Sequence, residues 1–209
     1  MEDIKQRTLR GGFAKVFVQA INFFLRIISL MVLARLLDPK DFGLVGMVMA
    51  VAGVFSLFKD AGLSMATVQR ESITREQSST LFWINMLVGA VLAFLLIVAA
   101  PILVSFYHER RLFWVAVVLA ADFLFTGAAA QHSALLQRQM RFVALAVIEI
   151  FALVAGIAVG IGMALGGWGY WALVGMAVVQ PAVSAVGYWL TSRWIPGLPR
   201  RGVGILSMV

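Results

Sequence analysis

Lys15, Gln19, Asn22, Arg26 and Ser29 follow one another at steps of four, three, four and three residues. On a helix that spacing gathers them on one face. Every residue between them is apolar or small, and the run that holds them, Phe13 to Leu36, is long enough to cross a bilayer. A charge at the depth of Arg26 costs at least ~2.5 kcal/mol if it faces lipid, so the stripe is expected to turn toward other helices or a wet cavity. The chemistry on offer is recognition. Arg26 presents a fixed positive charge and a planar fork of donors suited to phosphate or pyrophosphate oxygens. Gln19, Asn22 and Ser29 suit hydroxyls.

Three acids fall inside later apolar runs. Asp122 sits near the middle of the fourth, Glu149 about two turns into the fifth, and Asp60, beside Lys59, in the last third of the second. Each is a candidate to bind a proton or sodium ion, or to balance Arg26 while a cavity is empty. The plainer alternatives are structural. Arg26 and Asp122 could pair and hold two helices in register; Lys59 could snorkel to the headgroups; Asp60, just before Ala61-Gly62, could cap a helix break. An isolated acid at the depth of Glu149 wants a partner or a proton.

The elements that must position these groups follow from composition. The chain is 62% hydrophobic and 13% charged, where soluble domains run near half and a quarter, so it reads as an integral membrane protein. Six runs have spanning length, roughly Phe13–Leu36, Phe42–Met65, Leu81–Phe106, Leu112–Leu135, Phe142–Leu165 and Gly169–Leu190. The expected fold is all-α: six transmembrane helices in one bundle over residues 1–195. Residues 196–209 are expected to be a basic linker and the start of a seventh, truncated span. There is no cysteine, which removes disulfides and thiolate metal sites. His108 and His132 have no ligand spacing, and no metal or cofactor is expected.

The net charge of +7 does not point to nucleic acid, because the basic residues form short clusters between apolar runs. Lys5, Arg7, Arg10, Lys15, Arg70, Arg75, Arg138, Arg141, Arg193, Arg200 and Arg201 fall on one side, against Arg35, Lys40, Arg110 and Arg111 on the other. That asymmetry predicts both termini in the cytoplasm. Asp38-Pro39-Lys40-Asp41 signs the start of the second helix, and Thr74 with Gln77 a capping box before the third. Tryptophans near the span ends read as interfacial anchors. Pro101 and Pro181 are expected to kink their helices. Gly156/Gly160 and Gly162/Gly166 give small-xxx-small spacings, for packing within the bundle or for a homodimer face.

The stretch Ala34-Arg35-Leu36-Leu37-Asp38-Pro39-Lys40-Asp41-Phe42-Gly43-Leu44 resembles a characteristic segment of bacterial polysaccharide exporters. These are the lipid-linked oligosaccharide flippases of the multidrug/oligosaccharidyl-lipid/polysaccharide exporter superfamily. Phe58-Lys59-Asp60-Ala61-Gly62-Leu63-Ser64, Phe82-Trp83-Ile84-Asn85, Ala100-Pro101 and Leu136-Gln137-Arg138 with Met140-Arg141-Phe142 are similar in the same order, and the likeness points to the lipopolysaccharide O-unit and colanic-acid-type branch. It implies two six-helix bundles facing across a cavity in the bacterial inner membrane. It also implies alternating access that carries an undecaprenyl-pyrophosphate-linked oligosaccharide between leaflets, with membrane lipids around it. This chain holds the first bundle, so a missing C-terminal bundle of the same chain is an expected partner.

Rival readings remain. A cation-coupled multidrug exporter half would also use Asp60, Asp122 and Glu149, but Arg26 argues against it. An enzyme finds no support in the sequence: Ser133 beside His132 cannot form a facing nucleophile–base pair, and Asp38 and Asp41 are explained by a helix start. A non-transporting membrane fragment is the third reading.

Overall fold

The computed structural model describes residues 2–59 and 74–197, with side chains described over 19–57 and 74–197. Among the described residues every regular element is a helix: α1 (Glu2–Leu36), α2 (Pro39–Lys59), α3 (Arg75–Tyr107), α4 (Arg111–Leu119), α5 (Ala121–Arg138), α6 (Phe142–Leu165) and α7 (Trp171–Ser192). They supply six spans long and apolar enough to cross a membrane, with α4 and α5 together forming the fourth. The chain is a multi-pass, all-α membrane protein.

The turn signals act where the sequence places them. α2 starts at Pro39 with Asp41 in its first turn. The Thr74 hydroxyl accepts from the Gln77 amide at 3.2 Å, and the Thr74 amide donates to Gln77 Oε1 at 3.0 Å. α3 and α7 run on through Pro101 and Pro181. α1 starts at Glu2, well before the expected Phe13, and a second departure is at Ala120, which separates α4 from α5. Its angles, φ −60° and ψ −25°, stay in the right-handed helical region, so the two pieces continue as one span.

Three apolar clusters show an up-and-down bundle. The largest joins the start of α2 (Leu44, Val45, Val48) to the end of α3 (Leu96, Ala100, Leu103), to α4 (Leu112, Val115, Leu119) and to Val174. A second, at the opposite end, joins Ala129 and Leu136 of α5 to Leu145 of α6 and to Ala185 and Tyr188 of α7. The third ties Leu33 and Leu37 to Ala164 and Ala172. The most extensive seams are α6–α7, α3–α5 and α5–α7, whereas α1 packs chiefly on α6.

Small residues set the closest approaches. A Cβ on Gly127 would lie 2.8 Å from the Asn85 carbonyl oxygen, and one on Gly89 would collide with the Phe123 carbonyl. The α3 and α5 backbones therefore touch. Gly156 and Gly160 do the same work against Met176, Gln180 and Ala172 of α7, so that pair is used inside the bundle. A methyl on Gly162 would meet nothing within 4 Å, so this glycine makes no seam here.

Candidate functional site

The polar stripe on α1 divides. Ser29 is buried at 2% exposure, and its hydroxyl donates to the Arg26 carbonyl at 2.9 Å. It lies in the seam rather than offering a free hydroxyl. Asn22 is half-buried, and its Oδ1 is sealed from solvent with no partner among the described residues. Such an atom costs about 1–3 kcal/mol unless water or a ligand reaches it. Gln19 and Arg26 are exposed. Lys15 lies outside the described side chains.

Arg26 stands ten residues before the end of α1, about 15 Å along the helix axis and so near the middle of a hydrocarbon core. Its guanidinium has no ion pair among the described residues. Its neighbours on the same face, Phe23 and Leu30, are also exposed, because α1 packs chiefly on α6. The α1 surface beside the stripe is thus unfilled within this bundle.

The acids are placed separately. Asp122, half-buried near the start of α5, accepts a bond from the Thr126 hydroxyl at its carbonyl, 2.7 Å. It lies at about the same depth as Arg26, eleven residues into the fourth span, but α1 and α5 share no seam. The structure does not bring Asp122 to Arg26 as an ion pair. Glu149, exposed on α6, accepts from the Tyr188 hydroxyl of α7 at 3.4 Å. With Leu33 and Ala164 in one cluster, an equal rise back along α1 and α6 brings Glu149 level with Gln19. Asp60 lies outside the described residues.

Sequence reasoning missed a second polar centre. His132 is fully buried, and its Nδ1 lies 2.8 Å from the Ser192 hydroxyl oxygen. The ring leans on Trp189, with centroids 4.4 Å apart, and meets Phe82 and Trp194 edge-on. Trp189 Nε1 donates to the Ala128 carbonyl at 3.0 Å, and Trp83 Nε1 to the Gly197 carbonyl at 2.9 Å. The Gly197 amide in turn donates to the Ser79 hydroxyl. So these tryptophans pin the end of α7 onto α3 and α5, instead of serving only as lipid anchors. Gly197 is held at the expected start of the linker; 198–209 lie outside the described residues. The available signal was the i, i+3 pairing of Phe82 with Asn85 and of Trp189 with Ser192, each a polar residue beside an aromatic on one helix face.

His132→Ala should empty this centre and destabilise the bundle by about 3–5 kcal/mol, the range for losing a buried aromatic ring. His132→Phe, which keeps the stacking, should lose less. Thermal unfolding in detergent compares them, and equal melting of His132→Ala and wild type would deny the centre its structural role.

A family profile described as polysaccharide biosynthesis protein matches residues 32–209. The chain belongs to that family. Among its curated relatives, the teichuronic acid biosynthesis protein TuaB of Bacillus subtilis (strain 168) is 38% identical over 44% of this chain and 19% of its own length. The succinoglycan biosynthesis transport protein ExoT of Rhizobium meliloti (strain 1021) is 27% identical over 84% of this chain and 35% of its own. The lipopolysaccharide biosynthesis protein WzxC of Escherichia coli (strain K12) is 24% identical over 73% and 31%. The chain thus spans between about a fifth and a third of the length of these family members. No solved structure matches it.

Proposed function

We propose that this bundle is the first lobe of an exporter that moves lipid-linked oligosaccharide units across the bacterial inner membrane by alternating access. The single observation that carries this reading is Arg26: an exposed guanidinium near mid-membrane, without a counter-ion among the described residues, on a helix covered from one side only. A facing bundle would turn that open side into a cavity. The anionic head of a lipid-linked sugar cannot cross hydrocarbon unaided, and Arg26 would meet its pyrophosphate. Gln19 and Asn22 would bind sugar hydroxyls, and Glu149 and Asp122 would serve as counter-charges or ion sites. Ser29, its hydroxyl bonded to the Arg26 backbone carbonyl, would stay in the helix seam beside the site. The basic residues at one set of span ends favour an orientation with both termini in the cytoplasm, and the lobe needs no bond-breaking chemistry of its own.

Surface polysaccharide in an export-null strain tests the two-lobe reading. The 209-residue chain alone should not restore it, whereas the same bundle joined to a facing second bundle should. Full restoration by the chain alone would contradict the need for a second lobe.

A further inference from the structure

The turn between α5 and α6 and the end of α7 enclose a hollow of about 480 Å³, lined by Arg141, Leu190, Thr191, Ser192 and Arg193. Arg141 Nη1 donates to the Thr191 carbonyl at 3.0 Å. That bond fixes the guanidinium against α7 and leaves most of its N–H donors for another partner. Arg193 leaves α7 in the left-handed region, φ 50° and ψ 20°, a conformation uncommon for a non-glycine residue. Neither arginine has a carboxylate in ion-pair reach among the described residues; the pair of Arg111 with Glu109 lies at the opposite end of the bundle. Glu149, the acid on α6, lies eight residues from Arg141, about 12 Å deeper, and is engaged by Tyr188.

Other features converge on the same place. α6 begins at Phe142 with no side-chain cap, so its first amides and the positive end of its dipole lie at this turn. The Ser192 hydroxyl in the hollow's wall is held by His132. Around the arginines the surface is apolar and open: Met140 is 75% exposed, Val143 73% and Leu190 72%. Two guanidiniums at the ends of membrane spans, without a carboxylate partner among the described residues and ringed by exposed apolar side chains, match a phosphate that arrives attached to acyl chains. Basic pockets between helices at a membrane surface hold such headgroups.

We propose that this hollow binds the phosphate of an anionic phospholipid headgroup in the leaflet on the Arg141 side. Arg141 and Arg193 contact the phosphate oxygens, and the acyl chains lie over Met140, Val143 and Leu190. The site is distinct from the α1 stripe and does not depend on the export reading.

The test places the purified chain in phosphatidylcholine nanodiscs with and without phosphatidylglycerol, and reads retained lipid by native mass spectrometry and melting temperature by thermal scan. Wild type should retain phosphatidylglycerol and melt higher in its presence. Arg193→Gln leaves the Arg141–Thr191 bond in place and should weaken retention roughly fivefold, and the Arg141→Gln/Arg193→Gln pair roughly 25-fold, at about fivefold for each arginine. Unchanged retention in Arg193→Gln and in the pair would overturn the proposal, as would a wild type that does not prefer phosphatidylglycerol over phosphatidylcholine. A hollow that ignores phosphatidylglycerol but takes added undecaprenyl pyrophosphate or inorganic pyrophosphate would also overturn it, by assigning the arginines to another phosphate.

Discussion

Arg26→Ala should lower delivery of surface polysaccharide by roughly tenfold to hundredfold, the value of one lost charge-assisted contact, while the protein inserts and accumulates at wild-type levels. The two halves of that expectation come from one geometry. The guanidinium is exposed and makes no ion pair among the described residues, so its removal breaks no salt bridge between them. A charge near mid-membrane costs about 2.5–3.5 kcal/mol to insert, so alanine should if anything ease insertion. A residue retained at such a cost with no structural return is expected to act on something outside the bundle. Arg26→Lys keeps the charge but loses the planar fork, and should retain part of the activity. Glycan labelling at the cell surface, normalised to protein level, separates these outcomes. Full export in Arg26→Ala would remove the residue from the site, and loss of the protein itself would make it structural.

Gly89→Leu should force open one of the principal seams of the bundle. The α3 and α5 backbones meet at Gly89 and Gly127, where any Cβ would fall on the facing carbonyl of Phe123 or Asn85. Relief requires the two helices to separate along one of the principal seams of the bundle. Overpacking a tight interior typically costs about 1–3 kcal/mol, and here the obstacle is backbone that cannot rotate away. Gly162→Ala is the counterpart. Its methyl would meet nothing within 4 Å, and replacing a helical glycine by alanine favours the helix by about 0.5–1 kcal/mol. Unfolding by heat or by added SDS should therefore rank Gly89→Leu well below wild type and Gly162→Ala at or slightly above it. The reverse order would mean the α3–α5 crossing is elsewhere.

The spans, their order and most of their ends were legible in the sequence because lipid imposes a single requirement on each: some twenty apolar residues bounded by polar turn chemistry. Thr74 with Gln77 and Pro39 with Asp41 stand at the helix starts they signal. Helix pairing was much less legible. Hydropathy is alike on every side of a spanning helix, so nothing distinguished Gly89 and Gly127, which touch, from Gly162, which does not. The α1 stripe illustrates the same limit. Its spacing placed Asn22, Arg26 and Ser29 on one helical face correctly, but could not say that α6 would cover Ser29 and leave Arg26 open. Arg26 and Asp122 were matched in depth by counting residues. Depth alone does not make neighbours, and α1 and α5 share no seam. His132 could be read only as lacking ligand spacing and a catalytic partner, because a lone histidine has meaning only through the residues that surround it, and those come from other helices.

The most direct measurement uses the absence of cysteine from the chain. A single Arg26→Cys substitution, carrying a spin label, is compared with Phe24→Cys in the two-lobe exporter reconstituted in proteoliposomes. Position 26 should be relaxed by a water-soluble nickel chelate and shielded from oxygen, while position 24 should show the opposite, as expected for a side chain facing lipid. Oxygen accessibility at position 26 equal to that at position 24, with no response to nickel, would place the Arg26 side chain among acyl chains and contradict a hydrated path for an anionic headgroup.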